Sequence, residues 1–249
     1  LFRSQGGTLK RHPYLSYAYV IEKTDDLTQL SGFEEGAFVI QDISSMLAVE
    51  ALGLPKMDNQ GTLKILDICA APGGKSMLAA DILNHADIDY MLEARDISEY
   101  KVELMQENFN RCHLNKAKAV AWDALEPDER WLGQADVVIA DIPCSGLGVI
   151  GRKRDIKYKM TPQAVQDIVE LQEKILKVAA SYVKKGGKLL FSTCTVNKDE
   201  NEAHVKWIQD TLKMTPVSLN GTLPGLVHSP TTQQGFVQLI PGMQDTEIG

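Results

Sequence analysis

The chain has 249 residues, 44% hydrophobic and 24% charged, with a formal net charge of −7. These proportions exclude a disordered, collagen-like or fibrous chain, and the acidic balance argues against a nonspecific nucleic-acid coat while leaving room for a local basic patch. Cys69, Cys112, Cys144 and Cys194 form no CxxC pair and no apolar run approaches about 18 residues, so zinc ribbons, redox dithiols and membrane spans are excluded, and reduced thiols in a cytoplasmic setting with no metal are expected.

Residues 1–40 read as a small extension, with one strand among Tyr14, Tyr17, Tyr19 and Ile21 and an acidic turn at Asp25 and Asp26. There is no secretory h-region and no initiator Met, so the chain reads as a fragment. Residues 40–52 have helical apolar spacing, broken by Gly53, Pro55 and Gly61. From residue 63 strands alternate with helices: strand 63–68, helix 75–83, strand 90–94, helix 98–112 with Ser98 as N-cap, strand 117–122 and strand 136–140. Thr161-Pro162 opens a helix that Gly186-Gly187 should end. A strand follows at 188–192, and then a helix to about Leu212, with Asn197 and Glu200 as its capping box. The alternation means a doubly wound parallel α/β sheet, in which ligands bind outside the carboxyl ends of the strands.

Five segments lie where that rule puts a site. Cys69-Ala-Ala-Pro-Gly-Gly-Lys-Ser76 joins the first strand to its helix, with small residues and free N–H donors suited to close ligand approach. A P-loop is the rival reading, but its first Gly falls on Cys69, and Pro72 removes a donor. Asp96 after the second strand is placed to hold a ribose diol, and Asp123 after the third to accept from an adenine amino group. Either acid alone reads as a helix cap or solvated group; both beside a Gly-rich loop suggest a nucleoside-containing cofactor. Asp141-Ile-Pro-Cys-Ser-Gly146 ends the fourth strand and presents Cys144, and Ser192-Thr-Cys-Thr195 ends the fifth and presents Cys194. Cys112, mid-helix, reads as an inert buried thiol. Arg152, Lys153, Arg154, Lys157 and Lys159, with Tyr158 among them, follow the Pro-Cys loop and read as a phosphate-contacting segment.

Taken together, the Cys69–Lys75 loop, Asp141-Ile-Pro-Cys-Ser-Gly and Ser-Thr-Cys-Thr resemble the Sun/RsmB/NSUN family of RNA cytosine-5 methyltransferases. The similarity runs from Phe33 to Glu202, with a weaker echo at Leu239-Ile-Pro-Gly-Met. It implies a Rossmann-like sheet of seven strands, of the class I S-adenosylmethionine-dependent type, over residues 41–249, with residues 1–40 the remnant of an N-terminal RNA-binding extension. It implies that Cys69, Ala70, Ala71, Pro72, Gly73, Gly74 and Lys75 cradle the methionine part of S-adenosylmethionine. Asp96 would bind the ribose, Asp123 the adenine, and Asp141 both the target cytosine and the cofactor's edge. Cys194 would be the nucleophile, with Cys144 helping release the product. Lys101 stands where the family often has Arg and Ile142 where Ala is common. Glu247-Ile-Gly249 replaces an expected Gly-Phe-Phe strand, so the C-terminal strand reads as cut.

The chemistry that this resemblance implies needs a thiolate. Cytosine C5 is a poor nucleophile until a thiolate adds to C6, and a free thiol near pKa ~8.5 needs an activating environment. DNA cytosine-5 methyltransferases attack from the Pro-Cys position, which leaves Cys144 as the rival nucleophile. The expected partner is RNA, with 16S rRNA first and tRNA as the alternative, reached by unstacking the base. The chain is expected to act as a monomer. A degenerate, RNA-binding methyltransferase fold is the reading from another class.

Overall fold

The computed structural model describes residues 8–22, 27–57, 61–151, 156–223 and 230–239. The acidic turn at Asp25 and Asp26 and the stretch from Ile240 onward lie outside them. Among the described residues five parallel strands form the central sheet: β3 (Leu63–Asp67), β4 (Tyr90–Asp96), β5 (Ala117–Ala121), β6 (Ala135–Asp141) and β7 (Val183–Ser192), in the order β5-β4-β3-β6-β7. A separate antiparallel pair, β1 (Thr8–Arg11) and β2 (Tyr19–Glu22), precedes it. The expected N-terminal strand therefore begins later than Tyr14 and pairs with a strand that the sequence reading missed.

The two central strands explain the layering. β3 and β6 are almost continuously buried, as strands covered on both faces must be. Ile65, Val137 and Ile139 face one layer with Met77 and Leu83 of α2 (Gly74–His85) and Met105 and Phe109 of α3 (Glu99–Arg111). Leu66, Val138 and Ala140 face the other with Ile175, Leu176 and Ala179 of α5 (Pro162–Tyr182) and Trp207 and Ile208 of α6 (Glu202–Leu212). The period-2 alternation of the strands thus feeds two cores. A third cluster packs Tyr14, Leu15 and Ala18 against Ile43 and Leu47 of α1 (Ile43–Glu50) and against Leu223. Two short helices, α4 (Ile156–Lys159) and α7 (Pro230–Gln233), complete the described elements. No helix among the described residues is long and apolar enough to cross a membrane.

Three expectations need correction. The sheet has five strands among the described residues, not seven. After α6 the chain forms no ladder over residues 213–223, where Pro216 lacks an N–H to give, and Leu219 and Leu223 instead join the N-terminal cluster. Gly186 and Gly187 do not end α5. The helix stops at Tyr182, and Val183 already pairs with Ala135. The two glycines lie in a bulge, because the register jumps from Ala135↔Val183 to Val137↔Lys188. Gly186 has φ +79°, and a Cβ on Gly187 would come within 2.9 Å of the Ala135 and Asp136 carbonyl oxygens. Ser98 does occupy the N-cap of α3 but makes no side-chain cap bond; the Asp96 carboxylate accepts from its N–H at 3.0 Å. Thr161 caps α5 as expected, accepting from the Ala164 N–H at 3.2 Å.

Candidate active site

The chain runs from β3 outward to β4 and β5 on one side, then returns to β6 and β7 on the other. The switch point therefore falls between the carboxyl ends of β3 and β6, where open α/β sheets hold their ligands. A cavity of about 200 Å³ opens there, lined by Gln41, Asp67, the Ala70–Pro72 turn, Lys75 and Asp141. The turn after β3 reaches α2 through Gly73, whose φ of +96° closes the corner. A Cβ on Gly74 would stand 3.4 Å from Gln41 Nε2, so the backbone approaches the cavity wall closely.

Two buried polar atoms on the cavity wall, Asp67 Oδ1 and Gln41 Nε2, have no hydrogen-bond partner among the described residues. Asp67 accepts from Ser76 Oγ at 2.7 Å through its other oxygen. Its burial pushes the carboxyl up to about 7, against the opposing pull of the Ser76 hydroxyl and the Lys75 ammonium. Lys75, itself buried, donates to Asp141 Oδ2 at 2.6 Å and to Ser45 Oγ at 3.3 Å. Ser192 Oγ donates to Asp141 Oδ1 at 2.7 Å. The carboxylate at the end of β6 is thus tied both to α2 and to the neighbouring strand β7.

Beyond Asp141 the two last strands bring the distant cysteines together. Cys144 Sγ and Cys194 Sγ lie 3.2 Å apart, and the Cys194 N–H points at Cys144 Sγ from 3.3 Å. Cys194 is exposed and Cys144 partly buried. The Cys144 thiol is pushed well above the ordinary thiol range, first by its hydrogen bond with Cys194 and then by burial, which outweigh the backbone N–H groups of Cys194 and Gly146. Either sulfur can donate in the contact between them. Cys69 is pushed up to about 12 by burial and by the carboxylates of Asp67, Asp96, Asp141 and Asp123. Burial likewise raises Cys112, which closes α3.

The sheet order sets the remaining residues in a row along the carboxyl edge: Asp123, Asp96, Asp67, Asp141, then Cys194 beyond β7. Asp96 and Asp123 stand outside the cavity lining, each with one oxygen in a local turn; Asp123 Oδ1 accepts from the Leu125 N–H at 2.9 Å. Arg152, Lys153 and Arg154 lie outside the described residues, as do the side chains of Lys157 and Lys159. No cluster of three His, Cys, Asp or Glu groups among the described residues could hold a metal ion.

Sequence reasoning missed Asp67, Gln41, Ser45 and Ser192. Asp67 could have been found, since it ends its strand as Asp96 and Asp141 end theirs. It also misread Glu200. α6 begins at Glu202 after Asn201, not in a capping box at Asn197. Glu200 is fully buried and accepts from Ser145 N–H at 2.8 Å and from Gln172 Nε2 at 3.0 Å, because two strand-end loops demand an acceptor between them.

This sheet, with its cavity at the β3/β6 switch point, defines a doubly wound fold of the methyltransferase type. A methyltransferase homolog protein from Pyrococcus horikoshii shares it at a TM-score of 0.69 and 26% identity, covering 84% of this chain and 63% of that one. NSun6 from the same organism, solved with SFG, matches at a TM-score of 0.63 and 29% identity, over 75% of this chain and 46% of that one. The chain belongs to the 16S rRNA methyltransferase RsmB/F family, whose pattern matches residues 54–248. A probable ribosomal RNA small subunit methyltransferase B of Bacillus subtilis is 38% identical over 212 residues, 84% of this chain. The chain spans about 45% of that relative's length.

Proposed function

We propose that this chain carries the catalytic part of an S-adenosylmethionine-dependent RNA methyltransferase that forms 5-methylcytosine in 16S rRNA through a thiolate adduct at C6. On this reading residues 41–249 are the catalytic domain and residues 1–40 the remnant of an RNA-binding extension. The observation that carries it is the pair of sulfurs 3.2 Å apart at the ends of adjacent strands, next to the Lys75–Asp141 ion pair. The small-subunit rRNA methyltransferase among its relatives and the neighbour solved with SFG, an S-adenosylmethionine analogue, support substrate and cofactor.

The residues present fit the cofactor. Asp67 Oδ1 and Gln41 Nε2 offer an acceptor and a donor that nothing among the described residues uses, in a cavity edged by backbone that only small side chains leave open. Asp67, Gln41 and the Ala70–Lys75 turn would hold the methionine end, Asp96 the ribose and Asp123 the adenine, in the order in which the strands lie. When bound, S-adenosylmethionine supplies an electrophilic methyl group. Asp141, paired with Lys75 at 2.6 Å, accepts from the cytosine amino group and fixes the base beside the sulfurs. Cys194 Sγ adds as the thiolate to C6; once C5 carries the methyl group, the C5 proton is lost to solvent and the C6–Sγ bond breaks, which restores the ring. The Cys144 S–H stabilises the Cys194 thiolate before attack and again as it leaves, which eases release of the product. Arg152, Lys153, Arg154, Lys157 and Lys159 would meet the RNA backbone.

The test compares Cys144→Ala and Cys194→Ala, each incubated with S-adenosylmethionine and 16S rRNA or bulk tRNA and run on a denaturing gel. A covalent protein–RNA band with Cys144→Ala and none with Cys194→Ala is the expected result. The reverse pattern makes Cys144 the nucleophile. Absence of both adduct and methyl transfer with either RNA returns the chain to an RNA-binding module.

A further inference from the structure

Outside the cavity, a buried polar cluster surrounds a carboxyl group that no step above uses. Glu200 Oε2 accepts from the Ser145 N–H at 2.8 Å and from Gln172 Nε2 at 3.0 Å. Its Oε1 accepts from Ser145 Oγ at 2.5 Å and from Thr195 Oγ1 at 3.3 Å. Ser145 follows Cys144 and Thr195 follows Cys194, so one buried side chain binds the immediate neighbours of both sulfurs. Gln172 extends the clamp to α5 and donates as well to the Pro143 carbonyl at 2.8 Å, on the other side of Cys144.

The next residue completes the hold on Cys194. Asn201 Nδ2 donates to the Thr195 carbonyl at 2.8 Å, and its Oδ1 accepts from Thr193 Oγ1 at 2.6 Å. The Gly148 N–H donates to the Cys194 carbonyl at 3.1 Å, across a gap that a Cβ on Gly148 would close to 2.8 Å. Every polar partner of Glu200 among the described residues is a donor, and its side chain has no exposure to bulk solvent, so losing it leaves those donors to find other acceptors. Loops normally vary in position; here two loops 50 residues apart are fixed to one acceptor, and the sulfurs they carry are in contact.

We propose that Glu200 is a positioning residue for the two-cysteine chemistry: its carboxylate sets the distance between the Cys144 and Cys194 sulfurs by anchoring both of their loops. This rests on the methyltransferase reading for its purpose but not for its geometry. Truncation leaves the Ser145 and Gln172 donors unpaired and frees the loops. Gln at the same position keeps a carbonyl for the N–H donors, and the Ser145 and Thr195 hydroxyls can turn to accept from its amide.

The experiment reads the sulfur–sulfur distance without RNA. Diamide joins two thiols into a disulfide, its N=N bond taking up the two electrons and both S–H protons, and the Cys144–Cys194 linkage is followed by peptide mass spectrometry. Two thiols held in contact react at high effective concentration, so Glu200→Ala is expected to slow the linkage at least about tenfold. Glu200→Gln should stay within about threefold of the parent, both being compared well below their unfolding temperatures. In single-turnover methyl transfer Glu200→Ala should lose rate while its KM for S-adenosylmethionine is unchanged, since Glu200 lies outside the cavity lining. A folded Glu200→Ala that links its cysteines as fast as the parent overturns the proposal. Should that variant not fold, Gln172→Met gives the same reading, and an unchanged rate there overturns it equally. If the linkage contrast holds but the parent transfers no methyl group to RNA, the clamp stands and the methyltransferase reading falls.

Discussion

Replacing Asp67 with Asn should remove a pH dependence that the cavity builds into the fold. Asp67 is almost wholly buried, and burial raises its carboxyl from an ordinary value of 3.8 to about 7. The folded state then holds a proton that the unfolded state has released at every pH between those values. Stability therefore falls as pH rises through that window, at about 1.4 kcal/mol per pH unit, and is flat below and above it. Integrated between pH 5 and 8, the wild-type chain should lose about 2–3 kcal/mol relative to Asp67→Asn. Paired urea titrations at several pH values measure this difference directly, and the comparison cancels every other titrating group. A difference between the two proteins that is flat with pH, or that grows in favour of wild type as pH rises, refutes the reasoning. The same carboxyl gives the site a signature. A cationic ligand group paired with Asp67 favours its ionised form, so S-adenosylmethionine binding should release a proton below about pH 7 and tighten as pH rises towards 7. The Asn variant should show neither effect by calorimetry in buffers of different ionisation enthalpy.

Two further substitutions probe the scaffold. Arg95 is buried at the end of β4, paired with Asp128 and Glu93 and stacked over the Trp122 ring at 4.8 Å. Arg95→Met leaves buried Asp128 to the exposed Arg130 and should cost about 3–5 kcal/mol in urea unfolding; a loss under about 1 kcal/mol would show that Arg130 alone suffices. Gly187→Ala forces a methyl against two carbonyl oxygens at 2.9 Å and should cost about 1–3 kcal/mol. Because the bulge lies at the opposite end of β7 from Ser192, methyl-transfer kcat should stay at the parent value, and a changed kcat argues against that separation.

Local grammar made much of the fold legible. The alternation of buried runs and amphipathic helices named the parallel sheet, and the strand-end rule then pointed to the Cys69–Lys75 turn, Asp141 and the two cysteines, Cys144 and Cys194, that the fold brings together. Where two local signals overlapped, the reading failed. Gly186-Gly187 carries the mark of a helix stop, yet the same two residues suit a bulge, and only pairing of Val183 with Ala135 decides between them. Asn197 and Glu200 have capping-box spacing, yet Glu200 is drawn inward by Ser145, 55 positions away.

The unread part of the site shares one physical property. Lys75 meets Asp141 across 66 positions and Ser192 meets Asp141 across 51. Such pairings follow from strand order, and strand order is set by which faces bury best against which helices, not by any short motif. Asp67 shows the distinction. Its place at a strand end is written in the sequence, but its raised carboxyl comes from burial, against the pull of Ser76 and Lys75, in a cavity that Gln41 joins from the segment before the sheet. A sequence motif thus names the backbone that approaches a cofactor, while the charge and proton state of the site belong to contacts that exist only once the sheet has closed.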